Sequence, residues 1–143
     1  MKEIRKKCTI CRVSKPLSDF YIDNDKLDGR TSQCRACQLE SKSRFNKSRK
    51  GIVYNMYRGQ VQNSKLRNHT APDYNEQWLY DFIFKENECL AELLYELWIE
   101  NNYDKYFSLS IDRICDYTPY TKNNIRLTTF YFNTKKSAEF KVK

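Results

Sequence analysis

Cys8-Thr9-Ile10-Cys11 and Cys34-Arg35-Ala36-Cys37 decide how this chain begins. Each is a C-x₂-C knuckle, which sets two sulfurs on one side of a metal ion. Two knuckles supply the closed tetrahedron of thiolates that a structural zinc requires. Residues 12–33 lie between them and contain an Asp28-Gly29 turn signal and a strand-like Phe20-Tyr21-Ile22, so they read as one hairpin. The competing readings are a pair of disulfides or four unrelated buried thiols. Four thiolates leave no open coordination position, so the expected Zn²⁺ folds a module over residues 1–40 and catalyses nothing. Thiolate ligands imply a reducing compartment and hence an intracellular protein. Of the two other cysteines, Cys89 is expected as a small buried residue at the start of a helix, and Cys115 has no partner in the pattern.

The rest of the composition narrows the class. The chain has 143 residues, enough for one or two small domains, with 31% charged residues, eleven Tyr and eight Phe. Its mean hydropathy is −0.85. No run approaches the about 18 apolar residues of a membrane span, and the N-terminus lacks the apolar core of a signal peptide. A membrane partner is therefore not expected.

The net charge is +8, and its placement is uneven. Residues 35–67 carry nine Lys/Arg against Glu40 alone; residues 68–104 carry Lys85 against nine acids; residues 105–143 carry eight basic residues and three acids. Most charge runs are solvated helix faces, but this density suits a polyanion gripped at two places. The expected partner is a nucleic acid, bound through Arg44, Lys47, Arg49, Lys50, Lys65, Arg67 and His69, and again through Lys135 and Lys136.

Arg35 to Leu66 has no proline, and Ile52, Val53, Met56, Tyr57, Gln60 and Val61 recur at helical spacing. That predicts one long helix, or two joined near Gly51, with a basic arm over 41–67. Asn63 to Asp73 reads as a loop. Asp73 or Asn75 caps a helix bearing Trp78, Leu79, Phe82 and Ile83. A further helix over Glu88–Asn101 places Leu90, Leu93, Leu94, Leu97 and Trp98 in the core, with Glu92, Glu96 and Glu100 solvated. Leu109–Ile111 and Ile125–Thr128 have strand composition, a polar loop separates them, and Thr129 onward can be helical. Residues 68–143 are thus a helical segment ending in strand, loop, strand and helix. On that arrangement Asp112 and Asn133 could converge on one hard cation.

The string Ser110-Ile111-Asp112-Arg113-Ile114, then Pro119-Tyr120-Thr121, Asn124-Ile125-Arg126-Leu127, and Phe132-Asn133 with Lys136 resembles the C-terminal motif of phage-type HNH endonucleases. These are the ββα-metal or His-Me finger nucleases, and the likeness is to the branch whose first motif reads Asp-Arg. Asn63 to His69 and Leu94 to Trp98 are also similar to that group. The knuckle C-x-x-C-x-x-x-K-P-L-x-x-F-Y, Cys8 to Tyr21, resembles modules fused to phage nucleases. The fold implied is α+β: a four-cysteine zinc hairpin, a helical middle and a C-terminal ββα-metal finger.

The resemblance implies a divalent-metal-dependent DNA endonuclease, a phosphodiester hydrolase acting on double-stranded DNA with Mg²⁺ or Mn²⁺ in a phage-infected bacterial cytoplasm. It carries Asp112 over as a metal-binding carboxylate and Asn133 as a ligand through its side-chain oxygen. Asn124 carries over as the brace of the loop. Arg113 stands where better-known members place a histidine base. Arginine cannot accept a proton near neutral pH, so it would contact phosphate or stabilise developing charge. The base would then be metal-bound hydroxide, a water relay or His69, which otherwise is a surface histidine on phosphate. Two alternatives stand beside the enzyme: a DNA-binding protein that keeps the finger as a scaffold, and a zinc adaptor whose acidic helix binds a protein partner.

Overall fold

Short strands that end on the cysteines build the N-terminal unit. The computed structural model describes residues 2–139, and the chain divides into two units, Met1–Asn46 and Lys47–Lys143. In the first, β1 (Arg5–Lys7) pairs antiparallel with β2 (Ser14–Pro16), and β3 (Phe20–Ile22) pairs with β4 (Arg30–Cys34). The helix α1 (Arg35–Lys47) follows directly. There are two hairpins where the sequence suggested one. The first knuckle is itself the β1–β2 turn: the Cys8 N–H donates to Val13 O at 3.0 Å, and Arg12 closes the turn at φ 62°. Gly29, at φ 67°, supplies the left-handed residue of the second turn. A 2.6 Å ion pair from Lys6 to Asp28 ties one hairpin to the other. The buried core of this unit is Phe20 with Cys8, Cys34 and Cys37.

The two helices that follow join at Ser48, not at Gly51. Ser48 Oγ accepts the Gly51 N–H at 3.0 Å and caps α2 (Arg49–Leu66). A serine hydroxyl competes with the helix ladder for nearby amides, so it starts a helix more readily than it continues one. The basic arm is not a body of its own, because α2 buries Ile52 and Val53 in the core of the second unit. It also runs to Leu66, leaving a shorter loop than Asn63 to Asp73.

In the second unit, Asn75 Oδ1 accepts the Trp78 N–H at 2.8 Å and starts α3 (Glu76–Asp81). A π-helical turn, Phe82–Glu86, carries α3 toward α4 (Glu88–Glu100). Then β5 (Leu109–Arg113) and β6 (Ile125–Thr129) form an antiparallel hairpin in which Asp112 faces Arg126. The last helix, α5 (Phe130–Glu139), packs on that hairpin. In β6 the alternation is clean: Ile125, Leu127 and Thr129 are buried and Arg126 is exposed. Leu79 and Ile83 are fully buried, joined by Val53, Ala91, Ile111 and Leu127. The fold is α+β, with an N-terminal cysteine cluster on hairpins, a helical middle and a C-terminal β-hairpin packed against a helix. No helix among the described residues is long and apolar enough to cross a membrane.

The structure corrects the expected core face of α4. Ala91 is buried, and Leu94, Tyr95 and Trp98 pack against the core, at i, i+3, i+4 and i+7. Leu90 and Leu93 lie outside that stripe and are 41% and 63% exposed. Cys89, expected buried, is exposed as well. α4 carries two apolar stripes, and the one with the larger aromatic surface faces inward. Accordingly, Ile83→Ala should cost about 2–5 kcal/mol in urea unfolding. Leu93→Ala should stay within about 0.5 kcal/mol of the parent. Equal losses from both would place the wrong face of α4 in the core.

Candidate metal centre and ββα site

All six cysteines are free thiols, and the sulfurs of Cys8, Cys11, Cys34 and Cys37 lie within 4.8 Å of one another. The first two come from the β1–β2 turn, Cys34 ends β4 and Cys37 sits in the first turn of α1. The Cys34 and Ile10 N–H groups donate to Cys8 Sγ at 3.3 and 3.4 Å. Lys15 Nζ donates to Cys34 Sγ at 3.3 Å.

These donors favour thiolate. The Cys34 N–H, above all, draws the Cys8 thiol down to about 6. The Cys37 N–H lowers Cys34. Crowding does the reverse at Cys37, where hydrogen bonding to Cys34, burial and the other sulfurs push the thiol up to about 12. Four sulfurs this close cannot all ionise without a cation among them. The cluster fits a structural Zn²⁺: four soft ligands, no open position, and amide and ammonium donors behind them.

In the second unit the hairpin and α5 bring Asp112, Asn133 and Lys136 together. Asp112 is 4% exposed. Its Oδ2 accepts from Arg126 Nε at 3.0 Å, from Arg126 Nη2 at 2.8 Å and from Lys136 Nζ at 3.2 Å. Asn133 Nδ2 donates to Ser110 Oγ at 2.9 Å and to Ile111 O at 3.3 Å, which fixes it beside Asp112 on the strand. Lys136 also donates to Arg113 O and lies 3.4 Å from Asp116 Oδ1.

Asn124 clasps the loop between the strands. Its Oδ1 accepts the Cys115 N–H at 2.8 Å, while its Nδ2 donates to Thr118 Oγ1 at 2.7 Å, Pro119 O at 2.9 Å and Cys115 O at 3.1 Å. Arg113 departs from the position expected of a phosphate ligand. It is 8% exposed, its Nη1 donates to Thr118 O at 3.0 Å, and its guanidinium lies over the Tyr120 ring. A guanidinium so engaged braces the same loop as Asn124.

The expected DNA contacts sort into two groups. Lys47 sits 4.2 Å from the Tyr103 ring centroid, and Arg49 pairs with Glu92 at 2.7 Å, so both serve the packing of the second unit. Lys135 lies over Tyr131, and Arg44 pairs with Glu40 along α1. Lys50, Lys65 and Arg67 are exposed. His69 is half-buried, with its backbone N–H on Ser64 O at the end of α2; no described contact ties it to Asp112.

Sequence reasoning missed three residues: Lys15 beside the cysteines, and Arg126 and Asp116 beside Asp112. The signal for Arg126 was the hairpin itself, since pairing Arg113 with Ile125 sets Arg126 opposite Asp112.

No family model matches the chain, and no curated protein or solved structure does either.

Asn124→Ala removes a side chain that holds the loop at both ends. The substitution should cost about 1–3 kcal/mol and raise amide exchange at Cys115 most. An unchanged Cys115 exchange rate would mean that the loop stands without this clasp.

Proposed function

We propose that this protein is a divalent-metal-dependent DNA endonuclease of the HNH, ββα-metal type, carrying a structural Zn²⁺ at its N-terminus. The observation that carries the reading is a carboxylate buried at the end of a strand, with an asparagine on the packed helix bonded one residue away. Those are the positions at which the HNH pattern sets its ligands. The Asn124 clasp agrees with the pattern at its middle position.

The residues fit a cation. Asp112 offers a carboxylate and Asn133 a side-chain amide oxygen, hard ligands that suit Mg²⁺ or Mn²⁺, although Arg126 and Lys136 compete for the carboxylate. When bound, such an ion supplies Lewis-acid stabilisation of charge at a phosphoryl oxygen. Asp112 and Asn133 would hold it, and Asn124 and Arg113 keep the loop rigid. Exposed Lys50, Lys65 and Arg67 draw in the DNA backbone by releasing its counterions. Arg126, with a 56% exposed side chain, stands at the same carboxylate and can face a phosphate.

One observation favours a second reading, a DNA-binding protein whose finger is only a scaffold. Asp112 is satisfied by internal cations. Plasmid DNA with Mg²⁺ or Mn²⁺ decides between the two. The parent should nick or linearise it. Asp112→Asn and Asn133→Ala, folded by circular dichroism, should lose at least about 10²-fold in rate while binding DNA within about 2-fold of the parent. A parent that binds the plasmid and leaves it intact with either ion would remove the enzyme and leave the scaffold.

The zinc is tested separately. Elemental analysis should find one zinc per chain, and Cys34→Ser should lose it. Chelation should unfold residues 2–46, because one phenylalanine and three cysteines bury too little apolar surface to fold alone. Retention of native amide dispersion in that unit after chelation would overturn the claim.

A further inference from the structure

The Lys136 ammonium sits among more oxygens than it can use. Within 3.5 Å of Nζ lie Asp112 Oδ1 and Oδ2, Asp116 Oδ1, Ile114 O and Arg113 O. An ammonium has three N–H donors, so five acceptors exceed its capacity. All five come from residues 112–116, in which two carboxylates and two main-chain carbonyls converge from one short segment. Hard cations are held in this way, by carboxylate and carbonyl oxygens of a single loop, with water filling the remaining positions.

We infer that this oxygen cage is a divalent-cation site for which Lys136 is the competing internal cation, and that Asp116 and the carbonyls of Arg113 and Ile114 join Asp112 as ligands. The inference rests on the reading of Asp112 as a cation ligand and extends it to residues that the HNH pattern does not assign.

The carbonyls are held ready for this. The Ile114 N–H donates to Asn124 O at 3.1 Å, and the Cys115 N–H donates to Asn124 Oδ1. The Asn124 clasp therefore fixes the peptide planes on either side of Ile114. Lys136 reaches in from α5 on a flexible four-carbon stem and can withdraw without a backbone change. Arg126 holds Oδ2 through two nitrogens, so Oδ1 is the oxygen that Lys136 would give up.

Charge sets the consequence. With the ammonium in place, Asp112 and Asp116 are balanced by Lys136 and Arg126. With a divalent ion there instead, the site gains one net positive charge. It then attracts a phosphate, while Lys136 is released at the same edge.

The test is Mn²⁺ binding to the zinc-loaded full-length protein without DNA, followed by the electron paramagnetic resonance of free Mn²⁺ and by calorimetry. Manganese prefers oxygen ligands and leaves the thiolate site to zinc. Lys136→Met removes the competitor and should tighten Mn²⁺ binding by about 10-fold or more. Asp116→Asn removes a ligand and should weaken it by about 10-fold. Lys136→Met that binds Mn²⁺ no more tightly than the parent would overturn the inference, and so would Asp116→Asn with unchanged affinity. The Asp116 side chain is 37% exposed, so that variant should fold and decide the matter even if Lys136→Met needs Mn²⁺ to fold. Cleavage is read apart from binding. The predicted affinity changes without any DNA cutting would sink the endonuclease alone, whereas metal-dependent cutting with unchanged affinities would sink the cage alone.

Discussion

Asp112 is a buried carboxylate, and the C-terminal part of the molecule is arranged to compensate it. Moving such a charge out of water costs several kcal/mol unless cations and hydrogen bonds surround it. Arg126 arrives from β6 and Lys136 from α5, so one side chain on β5 couples all three elements. The pairing adds little net stability, because a well-packed apolar cluster would do as well. What it adds is register. Slipping β6 by one residue would carry Arg126 to the opposite face, and Asp112 would be left buried with half its partners. The positions of Asn124 and Asn133 relative to Asp112 follow from that register.

The cysteine cluster is the corresponding constraint in the N-terminal unit, and it works by different physics. There the apolar core is one phenylalanine with three of the cysteines, and the strands are three to five residues long. Crowded sulfurs destabilise the thiolate state, as the raised Cys37 thiol shows, while the Cys34 and Ile10 amides and Lys15 favour it. A dication among the sulfurs would resolve the opposition. A module of this kind would trade hydrophobic burial for ligand bonds, with its fold written in four residues and two turns.

Local signals were legible in the sequence, and contacts between elements were not. The paired knuckles, the Asn75 cap, the extent of α4 and both strands of the C-terminal hairpin follow from spacing and capping within a few residues. Periodicity could not choose between the two apolar stripes of α4, because the choice depends on what the π-helical turn, the hairpin and α2 present to it. Leu90, Leu93 and Cys89 were misplaced for that reason. The N-terminal hairpin count failed because a knuckle can itself be a turn. Arg113 illustrates a third limit. Its sequence position suggested substrate contact, but a guanidinium beside an aromatic ring and a carbonyl in a tight loop is bound by both.

The chain's unusual richness in both tyrosine and basic residues has one structural explanation that separates fold from surface. Lys47 lies over Tyr103, Arg49 over Tyr95 and Phe84, Lys105 over Phe130, Arg113 over Tyr120 and Lys122 over Trp78. Contacts of this type contribute about 0.5–1 kcal/mol at exposed sites and more when desolvated, so a share of the positive charge is used to hold aromatic surfaces in place. These cations still add to the positive field of the chain, but their side chains are held at the rings. On the proposed reading, specific phosphate contacts in the second unit would therefore fall to cations outside that set, Lys50, Lys65 and Arg67 on and just beyond α2. Arg126 stands at the buried carboxylate itself. A long-range field made by the whole chain and close contacts made by a few residues are separable in this way because the aromatics have already claimed the others.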